Sequence, residues 1–223
     1  MKKAKSLIAI ALAILLASIV LTLSACNESK ENALKKYEDF IANTLNDSNH
    51  RVTSYINDKV MFIEQIDGEK SRAQINTSDS EIYTFKNGNK YIYAMKYNSG
   101  TDESGAPSYT KVYYESENLY NLNHKGYMFY LKIAYEVPED GTTFRCSVSG
   151  DNLEMVVKNT ESGSTLTINI VKKNDLIESF SITSEGETED GEKQASVWRF
   201  NFSYGGASVT PPDLTDGWVL DEE

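Results

Sequence analysis

The chain has 223 residues, is 40% hydrophobic and 11% aromatic, and carries 22 basic against 33 acidic residues for a formal charge of −11. Its length supports one sizeable core and fits a single domain best. The acidic balance argues against nucleic acid as a partner, because phosphate contacts draw on Lys and Arg.

The N-terminus has the order of an export signal. Lys2, Lys3 and Lys5 precede an uncharged run at residues 7–23, "LIAIALAILLASIVLTL", and the small residues Ser24 and Ala25 follow. Charge, apolar run and small residues in that order make a secretory signal. The run also approaches the roughly 20 apolar residues of a spanning helix. Cys26 decides between the two. Leu23-Ser24-Ala25-Cys26 resembles the bacterial lipobox, in which a lipid-bearing cysteine becomes the first residue of the mature chain. A thiolate is the best side-chain nucleophile for taking a diacylglyceryl group as a thioether.

This assigns residues 1–25 to a lipoprotein signal peptide and leaves 198 mature residues. The lipid on Cys26 is the only non-protein group implied; no other cofactor is expected. Location is then extracytoplasmic, anchored to the cell membrane without spanning it. One acyl chain binds a bilayer with only roughly 10⁴ M⁻¹, whereas two anchor stably. Residues 26–32 read as a polar tether holding the domain off the headgroups. The signal carries three lysines and no acids, so the mature chain has 19 basic and 33 acidic residues, about −14. That charge argues against close approach to an anionic membrane face. With Cys26 acylated, Cys146 is left alone and no intramolecular disulfide forms. Alternation of Phe144, Cys146 and Val148 with polar residues places Cys146 in the core.

Residues 33–48 predict an amphipathic helix, with Leu34, Tyr37, Ile41 and Leu45 on one stripe. From residue 51 the period becomes two, and Tyr, Phe, Val, Ile and Thr favour strands. "KYIYAMKY" sets Tyr91, Tyr93, Met95 and Tyr97 opposite Lys90 and Lys96. In "YMFYLKIAYEV" the apolar positions Tyr127, Phe129, Leu131, Ile133, Tyr135 and Val137 alternate as in a strand. "VWRFNFSY" sets Trp198, Phe200, Phe202 and Tyr204 against Arg199, Asn201 and Ser203. Asn87-Gly88 is a strong hairpin signal. Asp67-Gly68, Lys125-Gly126, Asp140-Gly141, Gly150-Asp151-Asn152, Ser162-Gly163 and Asn174-Asp175 are weaker ones. Residues 98–108 and the acidic 184–194 predict longer, mobile loops. Pro211-Pro212 stop the last strand, and residues 214–223 form a tail. The fold class is mainly β (α+β): an antiparallel meander of roughly ten strands, with the N-terminal helix packed across it.

The catalytic inventory is poor, and the chain reads as a non-enzyme with no catalytic residues. His50 and His124 sit in turn-like segments and read as exposed; no H-x-x-x-H or H-E-x-x-H spacing points to a metal. There is no G-x-S-x-G elbow and no glycine-rich phosphate loop. Ser108-Tyr109-Thr110-Lys111 matches S-x-x-K, but on a strand i and i+3 lie on opposite faces. The acids Glu185, Glu187, Glu189, Asp190 and Glu192 lack the ligand order of a calcium loop and read as solvated.

"TLTINIVKKNDLIESFSIT" (165–183) resembles the paired strands with a short charged turn of LolA-like and LppX-like envelope lipoproteins and lipoprotein carriers. "WRFNFSYGGASVTPPD" (198–213) is similar to their closing strand, and the leading helix before a meander fits as well. The resemblance covers most of residues 33–213 and lies in pattern. It implies a curved, half-open barrel with helical cover, whose concavity carries acyl chains or lipids, and no catalytic residues. Such carriers insert further helices mid-chain as a lid; here residues 99–138 show strand period and predict none.

The expected function is binding of a lipid or other apolar ligand in the concavity. Trp198, Phe200 and Phe202, with Phe129, Leu131 and Ile133, are the expected lining. The same aromatic stripes also suit a filled core. In that case the protein is an interaction module meeting an envelope protein partner. A carboxylate hydrolase is the third reading and needs a polar cleft with raised-pKa acids.

Overall fold

Turns built on Asn, Asp and Gly cut the chain into strands. The computed structural model describes residues 27–42, 48–117, 126–187 and 190–221. Its strands are β1 (Asn49–Ile56), β2 (Lys59–Asp67), β3 (Lys70–Ile75), β4 (Ser80–Asn87), β5 (Lys90–Thr101), β6 (Pro107–Ser116), β7 (Thr142–Ser149), β8 (Asn152–Asn159), β9 (Thr165–Lys173), β10 (Leu176–Glu187), β11 (Lys193–Tyr204) and β12 (Val219–Leu220). Its helices are α1 (Lys30–Ile41), α2 (Gly126–Leu131) and α3 (Ile133–Glu136). The signal segment, Cys26, Leu45, His124, Lys125 and Glu189 lie outside the described residues, as does the side chain of Phe129.

The turns have the geometry their residues favour. Asn57 and Asp58 take φ of +46° and +65°, and Asn174 and Asp175 take +53° and +62°. Two successive positive φ values make the turn whose twist matches a hairpin. At Asn87-Gly88 the hairpin forms as the sequence predicts, with Gly88 at φ +62° opening the two-residue loop.

One open, curved sheet results, in the order β12-β6-β5-β4-β3-β2-β1-β11-β10-β9-β8-β7. Strands β1–β6 form one antiparallel meander and β7–β11 a second. They join where β1 pairs with β11, setting Val52 opposite Phe202 and Ser54 opposite Phe200. Only β12 is parallel to its neighbour, through Val219 and Leu220 on Val112 and Tyr113. The link from β6 to β7 must therefore travel from one side of the sheet to the other. Its described part, α2 and α3, packs on the inner face.

Register fixes which side chains share that inner face. From β1 outward one row reads Val52, Glu64, Ala73, Ile82, Met95, Val112. In the other direction a row reads Phe200, Phe180, Ile170, Leu153, Val148. The predicted alternations of β5 and β11 hold: Tyr91, Tyr93, Met95 and Tyr97 face in with Trp198, Phe200, Phe202 and Tyr204.

Helix α1 begins earlier than the sequence predicts because Ser29 caps it, its Oγ accepting from the Asn32 N–H at 3.3 Å. The buried stripe is Ala33, Tyr37 and Phe40, which pack on β7 and β8, while Leu34 and Ile41 of the predicted stripe are half-buried. A larger correction concerns residues 126–137. The predicted strand is two short helices. The run is apolar on nearly every side, and Tyr127, Leu131 and Ala134 also fit a helical spacing; among the side chains described there, those three are buried. Short apolar runs leave helix and strand undecided, and packing decides here. The predicted long loops also shrink, since β5 runs to Thr101 and β10 to Glu187. Ladder bonds are backbone bonds and continue past polar side chains.

On the outer face a smaller cluster of Phe85, Ile92 and Ala94 is covered by Leu214 and Trp218 of the C-terminal segment. The tail is thus packed, and Lys111 Nζ holds Asp216 Oδ2 at 3.1 Å.

Phe180 is fully buried and stacks on Phe200 with ring centroids 4.9 Å apart. Phe180→Ala is expected to cost about 3–5 kcal/mol in urea unfolding. Val148→Ala, at a position 49% exposed on β7, is expected to stay within about 0.5 kcal/mol.

Candidate ligand-binding face

The inner face has two halves. Over β7–β11, β1 and β2 it is sealed by α1, α2 and α3. Tyr130 of α2 meets Trp198 edge-on at 4.8 Å and Phe200 at 4.9 Å, and Tyr127 meets Phe202 at 5.3 Å. Helix α1 holds the crossover in place. The Tyr37 hydroxyl donates to the Leu131 carbonyl at 2.8 Å, and Lys30 Nζ donates to the Tyr135 and Val137 carbonyls at 3.0 and 2.6 Å. Burial, then the Tyr135 and Cys146 charges, push the Tyr37 phenol above its ordinary range. That phenol stays neutral and keeps its proton for the bond.

Polar groups sit beneath this cover. Glu64 on β2 is 1% exposed, and its Oε2 accepts from the Tyr127 backbone N–H at 3.5 Å. His50 is also a correction: it is a buried β1 residue, not an exposed turn histidine. Its Nε2 lies 3.1 Å from the Tyr127 hydroxyl, and the rings of Phe202 and Tyr204 flank it. Strand β1 begins at Asn49, which puts His50 on the inner face opposite Tyr204. Burial and the Glu64 charge push the Tyr127 phenol upward, so it too stays protonated.

Over β3–β6 the inner face has a different character. Ile75, Ile82, Tyr91, Tyr93, Met95, Tyr97, Val112 and Tyr114 point inward and are half-buried. None of them belongs to the core cluster under the helices. Tyr93 and Tyr114 face each other across β5 and β6 at 6.2 Å. Thr84 on β4, beside Tyr93, is 1% exposed, and its hydroxyl is buried with no hydrogen-bond partner among the described residues.

The sequence-predicted lining falls in the sealed half. Phe200 and Leu131 are 1% exposed. Trp198, Phe202 and Ile133 are half-buried and packed on the same cluster. The β5 row was visible as an alternating stripe. Its neighbours Ile75, Ile82 and Val112 carry no signal in their own short strands, and only pairing register brings them beside it. Ser108 and Lys111 lie on opposite faces of β6, Lys111 toward Asp216. Among the described residues no group of three or more His, Cys, Asp or Glu is placed to hold a metal ion, and no helix is long and apolar enough to cross a membrane.

Cys146 is buried on the inner face below α1, and burial pushes its thiol up to about 11. A neutral buried thiol is a poor nucleophile. Folded protein is expected to resist a thiol reagent at pH 8 and to react once denatured. A folded pKa above the unfolded one leaves stability intact below the unfolded thiol pKa of about 8.5 and erodes it as pH rises toward the folded value. Between those limits Cys146→Ala is expected to lose less stability than the parent, read as urea midpoints at each pH. Searches for relatives return no matching family model and no matching curated protein.

Proposed function

We propose that the protein is a non-enzymatic, LolA-like envelope lipoprotein, acylated on Cys26 and facing the extracytoplasmic space, that binds a lipid by its acyl chains in the concavity of its sheet. The observation that carries this reading is the half-buried apolar and aromatic face of β3–β6, continuous with a sealed core yet outside it. Four strands spaced about 4.8 Å apart offer a strip wide enough for extended chains. Each methylene taken from water there contributes about 0.8 kcal/mol. The Tyr93 hydroxyl suits the polar end of the same ligand, whereas the Tyr114 hydroxyl is spent on Asp221 Oδ2 at 2.8 Å. The helical crossover between the two meanders supports the reading too, since it gives the concavity a cover inserted mid-chain. Trp198, Phe200 and Phe202 then serve as the floor beneath that cover.

Native mass spectrometry of a soluble chain beginning at Asn27, followed by solvent extraction, tests the binding reading. Co-purifying lipid that is lost in Met95→Asp, with the fold kept by circular dichroism, is the expected result. Met95 is half-buried, so the charge is tolerated in the folded protein. Lipid-free protein that also ignores a panel of phospholipids sinks the proposal and leaves the interaction module in its place. The anchor has its own check: Cys26→Ala is expected to move the protein from the membrane to the soluble fraction.

A further inference from the structure

The segment behind Cys26 is not a free tether. The Glu28 backbone N–H donates to the Phe144 carbonyl at 2.9 Å, in an antiparallel bridge to the edge strand β7. The Glu28 carboxylate accepts from the Cys146 N–H and pairs with Lys36 Nζ at 2.6 Å. Lys36 also reaches the Cys146 carbonyl at 3.2 Å. Ser29 then caps α1, and Lys30 is spent on the Tyr135 and Val137 carbonyls. Only Asn27 separates Cys26 from this fixed point. Two residues span at most about 7 Å, where the seven residues of 26–32 would reach about 25 Å.

Direction follows from the bridge. In an antiparallel pair, Asn27, the residue before Glu28, lies on the side of Arg145, the residue after Phe144. It therefore leads from mid-β7 toward Val148 and the β7–β8 turn. The β9–β10 turn lies at the same end of the sheet.

Charge is divided between the two ends. At the β7–β8 and β9–β10 turns, Lys172 and Lys173 stand against Asp151, Asp175 and Glu178, with Lys173 Nζ 3.6 Å from Glu178 Oε1. The other ends of the same strands carry Glu139, Asp140, Glu161, Glu185, Glu187, Asp190 and Glu192 against Lys158 and Lys193. Strand β9 has 9 residues, so about 30 Å separates the ends, several times the screening length of about 8 Å.

We propose that the domain stands on the bilayer by its β7 edge, tilted so that the β7–β8 and β9–β10 turns approach the headgroups and the acidic end points away. This rests on acylation of Cys26. The net charge of about −14 no longer forbids approach to an anionic leaflet, because the near end carries little of the acidic excess and the more acidic end is held distant. The β3–β6 half of the concavity then lies toward the edge farthest from the anchor.

The test uses the full lipidated chain in vesicles of phosphatidylcholine and phosphatidylglycerol. Single fluorophores are placed by Ser149→Cys and Asn174→Cys at the near end, and by Glu103→Cys and Glu161→Cys at the far end, in a Cys146→Ala background. Quenching by a headgroup spin-labelled lipid is expected to be severalfold stronger at 149 and 174. A flexible Gly/Ser segment inserted between Cys26 and Asn27 is expected to erase the difference while leaving membrane attachment intact. Equal quenching at all four positions in the parent chain, or stronger quenching at 161, overturns the orientation. Intact mass separates the two readings: a chain without diacylglycerol on Cys26 overturns both, whereas an acylated chain without orientation overturns this one alone.

Discussion

The pairing of β1 with β11 is the constraint on which the rest of the fold depends. It joins the start of one meander to the end of the other and places Val52 beside Phe202 at the centre of the sheet. The free ends of the meanders then lie far apart, and the described part of the chain between β6 and β7, α2 and α3, packs on the inner face. A turn cannot span that separation. The crossover must pack against whatever it crosses, and aromatic side chains give it contact on both sides. Tyr130 reaches Trp198 and Phe200, and Tyr127 reaches Phe202. Helix and floor are thus consequences of one strand pairing.

Apolar contact alone leaves such a crossover free to slide. The buried polar groups fix its position. Glu64 accepts from the Tyr127 backbone, His50 meets the Tyr127 hydroxyl, and Tyr37 takes the Leu131 carbonyl. A buried carboxylate costs several kcal/mol in desolvation unless its oxygens are satisfied. The cost works as a selector: a crossover displaced by one residue would leave Glu64 and His50 without Tyr127. Polar groups in a core therefore add uniqueness more than stability.

Much of the sheet is legible in the sequence, and what is not legible fails for identifiable reasons. The alternations of Tyr91–Tyr97 and Trp198–Tyr204, and the Asn87-Gly88 hairpin, are local signals that local structure obeys. The mainly β class and the N-terminal helix follow from them. Residues 127–137 carry apolar side chains at both periods, so the choice of helix lay in the crossover that topology demands. His50 looked turn-like because "NDSNH" is polar, yet β1 begins one residue before it. The half-buried row of β3–β6 hides for a third reason. Ile75, Ile82 and Val112 belong to different strands, and only their register assembles them into a row. Phe200 and Leu131 drew notice as large apolar residues, and such residues are the ones a core takes first.

The division of the inner face also bears on how binding and attachment coexist in one small domain. The half that is covered contains α1, β7 and the Glu28 bridge, so the packed side of the molecule is the side beside the proposed anchor. The half that keeps its aromatic row half-buried lies on β3–β6, stiffened from behind by Trp218 and Leu214 on Phe85 and Ile92. The contacts that would carry a lipid anchor on Cys26 therefore lie on packed helix and edge strand, away from the surface proposed to take a ligand. Under the proposed reading a ligand at β3–β6 would come and go without disturbing the Glu28 contacts, because the two share a sheet but no side chain.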